Sequence, residues 1–299
     1  LVYGLAIGLV FMSAVTAQRQ VLRDNSVALT WKTAGEIDSR SRSFFEAAHN
    51  ILLSFAAFAG SGNVDLASTE RVRMSLYMLA GVNPDVSTIY YGDPSERVVL
   101  VSRDEQGGGI ATIRDATTSG LMDYRKLFPG GAVGPVQKSV EFSPVGRPWY
   151  TGAIERGESG WTDLYIDFVS GSLVVTPYSP VRDEAGEIIG VVGADLGLGK
   201  LQDLIKRAVE GSGAVAALID HTGALVAVSN EIPVVAQASG TQVRVMAANC
   251  QDPVLAAAAT HSSADATSAA SGTGGTSESR TWFDELVVDG QVSFVSSSP

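Results

Sequence analysis

The chain has 299 residues, enough for one large domain or two smaller ones, and 21 Lys+Arg against 32 Asp+Glu give a net charge of −11. With no basic run to grip phosphates, that balance argues against nucleic acid as a partner. One cysteine, Cys250, excludes an internal disulfide, and no CxxC or HExxH spacing offers a metal site.

Residues 1–17, LVYGLAIGLVFMSAVTA, carry no charge and read as the end of a membrane-spanning helix. A signal-peptide core or a buried helix would look the same, and "SAVTA" resembles a cleavage site. On the first two readings the rest of the chain is extracytoplasmic.

From about Leu22 to Phe58 there is no proline and one glycine, Gly35, which predicts a long helix spanning most of 18–60. Ile37, Phe44, Ile51 and Phe58 recur every seven residues beside the row Ala34, Ser41, Ala48, Phe55. That stripe fits a homodimer seam or a helix lying on its own sheet. A second helix is expected over Ser68–Leu79, with Ser68 and Thr69 as caps.

Beyond Pro84, Thr88–Tyr91 and Val98–Ser102 read as a hairpin around Gly92-Asp93-Pro94. "DEQGGGIATIRDATTSG" reads as loop, and "LMDYRKLFPGG" as a short helix ended by Pro129 and Gly130. A second hairpin follows, "SLVVTPYSPVRD" and "EIIGVVGADLG" around "DEAGE", then a helix at "LGKLQDLIKRAVEG". "AVAALIDHTGALVAVSN" is again strand, turn, strand; its Asp220-His221-Thr222-Gly223 echoes Asp183-Glu184-Ala185-Gly186 and suggests two modules in tandem. Residues 256–280 are a low-complexity insertion, and "TWFDELVVDGQVSFVSS" forms a last hairpin with its turn at Asp289-Gly290.

Charge and aromatic side chains concentrate in "VGRPWYTGAIERGESGWTDLYIDFVSG", residues 145–171. Arg147 precedes Pro148, which suits a helix start, so the guanidinium fork sits at a junction beside the indole of Trp149 and fits a carboxylate. Tyr165 and Asp167, two apart on an expected strand, face the same way, and Asp195 follows the apolar run IIGVVGA. Arginine and indole opposite two acids and phenols would hold a zwitterion at both ends. A plain Arg147 salt bridge to Asp167 or Asp195 within an aromatic core is the alternative. Catalysis has less support: the histidines His49, His221 and His261 stand apart, and GxSxG and phosphate-loop patterns are absent.

These residues, with "RPWY" at 147–150, "GW" at 160–161, "YIDFVSG" at 165–171 and "SPVRDEAGEIIGVVGADLGLGKLQDLI", resemble the double Cache sensor domains of bacterial transmembrane receptors over roughly residues 20–240. The resemblance implies an α+β fold: a long N-terminal helix plus two PAS-like (Cache) antiparallel-sheet modules in tandem. Residues 61–200 would be the membrane-distal module with the ligand pocket, and 201–299 an incomplete membrane-proximal one. It implies a non-enzymatic, cofactor-free sensing region whose ligand is an amino acid, amine or small carboxylate. By resemblance to amino-acid-binding members, Arg147 and Trp149 hold the ligand carboxylate, Tyr150, Tyr165 and Asp167 line the pocket, and Asp195 takes the amine. A family tyrosine five residues before the arginine is Phe142 here, which removes a hydroxyl from the pocket. A ligand-free structural ectodomain and an unrecognised enzyme are the rival readings.

Overall fold

A computed structural model describes residues 28, 32–104, 106–167, 172–220, 222–238, 241–260, 282–288 and 291–297. The apolar segment 1–17, His221, His261 and the turn at 289–290 fall outside the described residues. Among those described, no helix is long and apolar enough to cross a membrane. The chain divides into two compact units, Arg42–Leu201 and Leu1–Ser41 with Gln202–Pro299.

Helix α1 runs through residues 32–58 and continues as a π-helical turn, Ala59–Asn63. Its buried row is Ile37, Ser41, Phe44, Ala48, Leu52, Phe55 and Ala59, in steps of three or four residues. Of the expected stripe, Ser41, Ala48 and Phe55 of one row and Ile37 and Phe44 of the other lie on that face, while the last member of the second row, Phe58, is 55% exposed. A strict spacing of seven lags the 3.6-residue helical turn, so after three repeats it has rotated toward solvent.

In Arg42–Leu201, helix α2 (Thr69–Val82) starts where expected, with the Ser68 hydroxyl accepting from the Arg71 amide. It is followed by β1 (Val86–Gly92), β2 (Val98–Arg103), β3 (Gly109–Arg114), β4 (Leu121–Leu127) and β5 (Val133–Glu141). Helix α3 (Pro148–Arg156) leads to β6 (Gly160–Trp161), β7 (Tyr165–Ile166), β8 (Leu173–Val175), β9 (Pro177–Arg182) and β10 (Ile188–Gly197). All ten strands join one antiparallel sheet in the order β5-β4-β3-β2-β1-β10-β8-β7, with β9 pairing β10 and β6.

Two sequence expectations fail here. The segment Leu121–Leu127, read as a short helix, is strand β4, and the stretch read as loop contains β3. Met122 and Tyr124 are buried on alternate positions, a period of two that Asp123 between them and Arg125 and Lys126 after them disguise. The "FPGG" that suggested a helix end is the β4–β5 hairpin turn, where the Gly131 amide donates to the Phe128 carbonyl. Helix α2 grips this turn: buried Arg73 bonds Glu70 with two nitrogens and donates to the Gly131 carbonyl at 2.5 Å. One turn on, the Tyr77 hydroxyl donates to the Gly107 carbonyl and accepts from the Gly130 amide.

The β2–β3 hairpin turns through Gly109 at φ +138°, where a Cβ would stand 2.0 Å from the Ser102 carbonyl oxygen. Gly109→Ala is expected to destabilise the fold by about 2–4 kcal/mol, because both the backbone region and the space are closed to a side chain. Urea unfolding measures this; a midpoint equal to wild type would contradict it.

In the other unit, part of α4 (Leu198–Ala208) precedes β11 (Ala217–Ile219) and β12 (Leu225–Val228), which pair, as do β13 (Val235–Ala238) and β14 (Thr241–Arg244). Helix α5, residues 253–260, takes the start of the stretch expected to be low-complexity insertion, held by Asp252 accepting from the Val254 and Leu255 amides. The final hairpin, β15 (Trp282–Val288) with β16 (Gln291–Ser297), forms as expected. A small core gathers Leu225, Val228, Ala247 and Leu255. The echoed turns share one geometry: Asp183 and Asp220 each accept from the amides two and four residues on, and Gly186 and Gly223 take positive φ at the fourth position. This is the α+β arrangement of a long helix and antiparallel-sheet modules that the sequence implied.

Candidate functional site

One face of the sheet in Arg42–Leu201 carries an aromatic core: Tyr90, Val98, Leu100, Met122, Tyr124 and Val191, closed over by Trp149, Tyr150 and Ala153 of α3 and by Tyr178. Alternation along β10 puts Val191, Gly193 and Asp195 on one face. Gly193 pairs with Tyr90 across the β1–β10 ladder, and a Cβ on it would stand 2.4 Å from the Tyr90 ring. The missing side chain lets that ring lie across β10, so that its hydroxyl reaches the carboxylate of Asp195, two residues further along.

Asp195 is 3% exposed. Its Oδ1 accepts three hydroxyls, from Thr176 at 2.6 Å, Tyr90 at 2.8 Å and Tyr165 at 3.2 Å. The Tyr165 and Thr176 oxygens also lie 2.9 Å apart. Burial pushes the Asp195 carboxyl up to about 6, the Asp167 charge adds to the rise, and the three hydroxyls hold it back. Burial first, and the Asp195 charge second, raise the Tyr90 and Tyr165 phenols, which therefore remain donors.

Helix α3 docks on this centre. Arg147 is its N-cap in extended conformation, with Pro148 at the first helical position as the sequence suggested. The Trp149 ring packs on Tyr90, centroids 4.7 Å apart, and meets Tyr150 edge-on at 5.5 Å. The Arg147 guanidinium lies over the Phe142 ring at 5.5 Å, so the position that lacks the family hydroxyl offers an aromatic face instead. Asp167, buried just past the two-residue β7, donates its amide to the Ser172 carbonyl and raises the Tyr124 phenol by its charge, after burial.

Of the residues singled out from sequence, the structure joins Trp149, Tyr165 and Asp195 through shared contacts, with Asp167 electrostatically coupled to Asp195. Arg147 stands with Phe142 at the mouth of α3, and Tyr150 backs Trp149 and feels Asp93. Two central residues were missed, Tyr90 and Thr176. Tyr90 lay in a strand already recognised, and the signal was the glycine breaking the apolar run opposite it. Thr176 sits at the break between β8 and β9, where alternation could not assign a face. Among the described residues no three His, Cys, Asp or Glu side chains gather as a metal site.

Tyr90→Phe keeps the packing against Trp149 but removes one donor from a buried carboxylate. A loss of about 1–2 kcal/mol in stability at pH 7 is expected, read by denaturant titration. No loss would mean that Tyr90 and Asp195 are not bonded.

The fold is similar to that of solved chemoreceptor structures. Residues 118–203, which include the α3 and β6–β10 part of the site, match the family described as methyl-accepting chemotaxis protein-like, first PDC sensor domain. Methyl-accepting chemotaxis protein McpA of Pseudomonas putida is 35% identical over 124 residues, 40% of this chain and 19% of McpA. PctB of Pseudomonas aeruginosa is 33% identical over 84 residues, 28% of this chain and 13% of PctB. The chain thus matches about a fifth or less of the length of these relatives. Among solved structures, the ligand-binding domain of the Pseudomonas fluorescens chemoreceptor CtaA, in complex with L-isoleucine, is similar at a TM-score of 0.50 and 17% identity, over 93% of this chain and 87% of that one. Methyl-accepting chemotaxis protein X is similar at a TM-score of 0.55 and 17% identity, over 90% and 89%.

Proposed function

We propose that this chain is the extracytoplasmic sensing region of a transmembrane chemotaxis-type receptor, with residues 61–200 as a membrane-distal module that binds an α-amino acid and 201–299 as a membrane-proximal module. The observation that carries the reading is the convergence of three hydroxyls on Oδ1 of buried Asp195. That arrangement fixes the carboxylate and leaves Oδ2 to meet a ligand ammonium, which supplies the charge partner a buried carboxylate lacks. Tyr165 and Asp167 add polar groups at the same end. At the other end, the Arg147 fork and the Trp149 indole suit the ligand carboxylate.

The relatives and the ligand in the CtaA structure point the same way. Ligand binding that favours one of two arrangements of the module would be passed to the membrane through α1, and a homodimer is part of this reading.

A thermal-shift screen of the 299-residue chain against amino acids, amines and small carboxylates tests it. A hit should raise the melting temperature with ligand concentration, and Arg147→Ala should weaken that hit about tenfold or more. Absence of any hit would favour a structural ectodomain, and turnover of a hit would favour an enzyme.

A further inference from the structure

A cavity of about 440 Å³ opens between α1 and the β6 and β8 strands, lined by Arg42, Phe45, Glu46, His49, Trp161 and Val175 together with Asn50. It shares no lining residue with the Asp195 centre. Trp161 forms its wall: the His49 imidazole stacks on the indole at 5.6 Å and 18°, and Phe45 meets it edge-on at 5.6 Å and 88°. A volume near the lower end of ordinary small-molecule pockets, with the Trp161 and Phe45 rings beside the polar side chains of Arg42, Glu46, His49 and Asn50, is a usual form of a ligand site.

The polar groups narrow the chemistry. Nδ1 of His49 is buried and has no hydrogen-bond partner among the described residues. Burial lowers the His49 pKa, so the ring is neutral near pH 7 and carries one donor and one acceptor nitrogen. Nδ1 has almost no open surface, so the nitrogen a ligand oxygen can reach is Nε2, which donates in the Nε2–H tautomer. Arg42 and Glu46, four residues apart on α1, bring one charge of each sign to the lining. A single carboxylate can meet the guanidinium, whereas a second would face Glu46.

We infer that this cavity is a second small-molecule site, for a planar aromatic monocarboxylate of one or two rings, its ring against Trp161 and Phe45 and its carboxylate toward His49 and Arg42. The inference is independent of the amino-acid reading of the Asp195 centre.

Calorimetric titration of the full 299-residue chain with benzoate, indole-3-carboxylate and cyclohexanecarboxylate tests it. The aromatic acids should bind at least about tenfold more tightly than cyclohexanecarboxylate, which has the same charge without a flat face. His49→Leu, which fills the space without a nitrogen, and Arg42→Met, on the exposed flank of the helix, should each weaken the aromatic acids about fivefold or more. Asp195→Asn should leave them unchanged. Three results overturn the proposal: no heat from the aromatic acids with either the wild type or Asp195→Asn, equal affinity for all three acids, or loss with Asp195→Asn while Arg42→Met is silent. Sedimentation adds a fourth, since a dimer that His49→Leu or Arg42→Met turns into a monomer would mean that a second copy covers this face.

Discussion

Asp195→Asn should lower the affinity for the proposed amino-acid ligand by about a hundredfold or more while making the empty protein more stable at neutral pH. The two effects share one cause. Asn keeps the shape of the carboxylate, and its carbonyl can still accept from Thr176, Tyr90 and Tyr165, so the centre stays assembled. What disappears is the negative charge that a ligand ammonium would meet, and truncating one partner of a desolvated pair costs about 2–5 kcal/mol. In the empty protein that charge is a burden, because it is buried at 3% exposure beside Asp167. Asp195→Ala would differ: it strands three hydroxyls without their acceptor and should lower stability by about 2–4 kcal/mol. Calorimetry for affinity and urea titration for stability separate the variants. Unchanged affinity in Asp195→Asn would remove the amine site, and the module would have to hold its ligand elsewhere.

The parts of this arrangement that could be read from sequence were those set by short-range rules. Arg147-Pro148 announced a helix start, and α3 begins there. The apolar run before Asp195 announced a strand, and β10 carries that residue inward. What escaped was cross-strand. Tyr90 becomes a site residue only because β1 pairs with β10 in a register that sets it against Gly193, and a register between segments a hundred residues apart leaves no local mark. The role of Phe142 was likewise readable only as a missing hydroxyl. Its ring under the Arg147 guanidinium depends on how α3 follows β5, which the sequence does not state.

For the fold, the failures have a different origin. Strand β4 was hidden because Asp123, Arg125 and Lys126 stand among its buried residues, so the apolar alternation had too few members to stand out against a helix reading. The glycines after Phe128 punctuate a helix end and a hairpin turn equally well, and it is Arg73 and Tyr77 on α2, more than fifty residues earlier, that hold the hairpin. The α1 stripe shows the reverse: both seven-residue rows were detected from local spacing, and Phe58 at the end of one of them has rotated off the buried face. His49 also looked isolated, since its partner Trp161 lies over a hundred residues away.

Between pH 4 and 6 the stability of the empty protein is expected to fall as pH rises, and the affinity for an ammonium ligand to climb over the same interval. Asp195 titrates at about 6 in the folded chain against 3.8 as an ordinary carboxyl. In that window the folded state holds the proton that the unfolded state has released. Stability therefore decreases with pH, by an amount on the order of 3 kcal/mol for a shift of this size, and levels off above 6. The neighbours enforce the sign: Asp167 opposes ionisation, and the raised Tyr90 and Tyr165 phenols stay protonated throughout the range and add no titration of their own. A ligand ammonium needs the ionised carboxylate, so its binding must pull the proton off below pH 6 and is weakened there by that work. Subtracting the urea-midpoint profile of Asp195→Asn from that of the wild type cancels every other titrating group. The difference should slope downward from pH 4 to 6 and then run flat, while the wild-type dissociation constant falls across the same two units. A flat difference would mean that Asp195 ionises in the folded chain as it does in water, and an affinity indifferent to pH would mean that the ligand does not meet it through a positive charge.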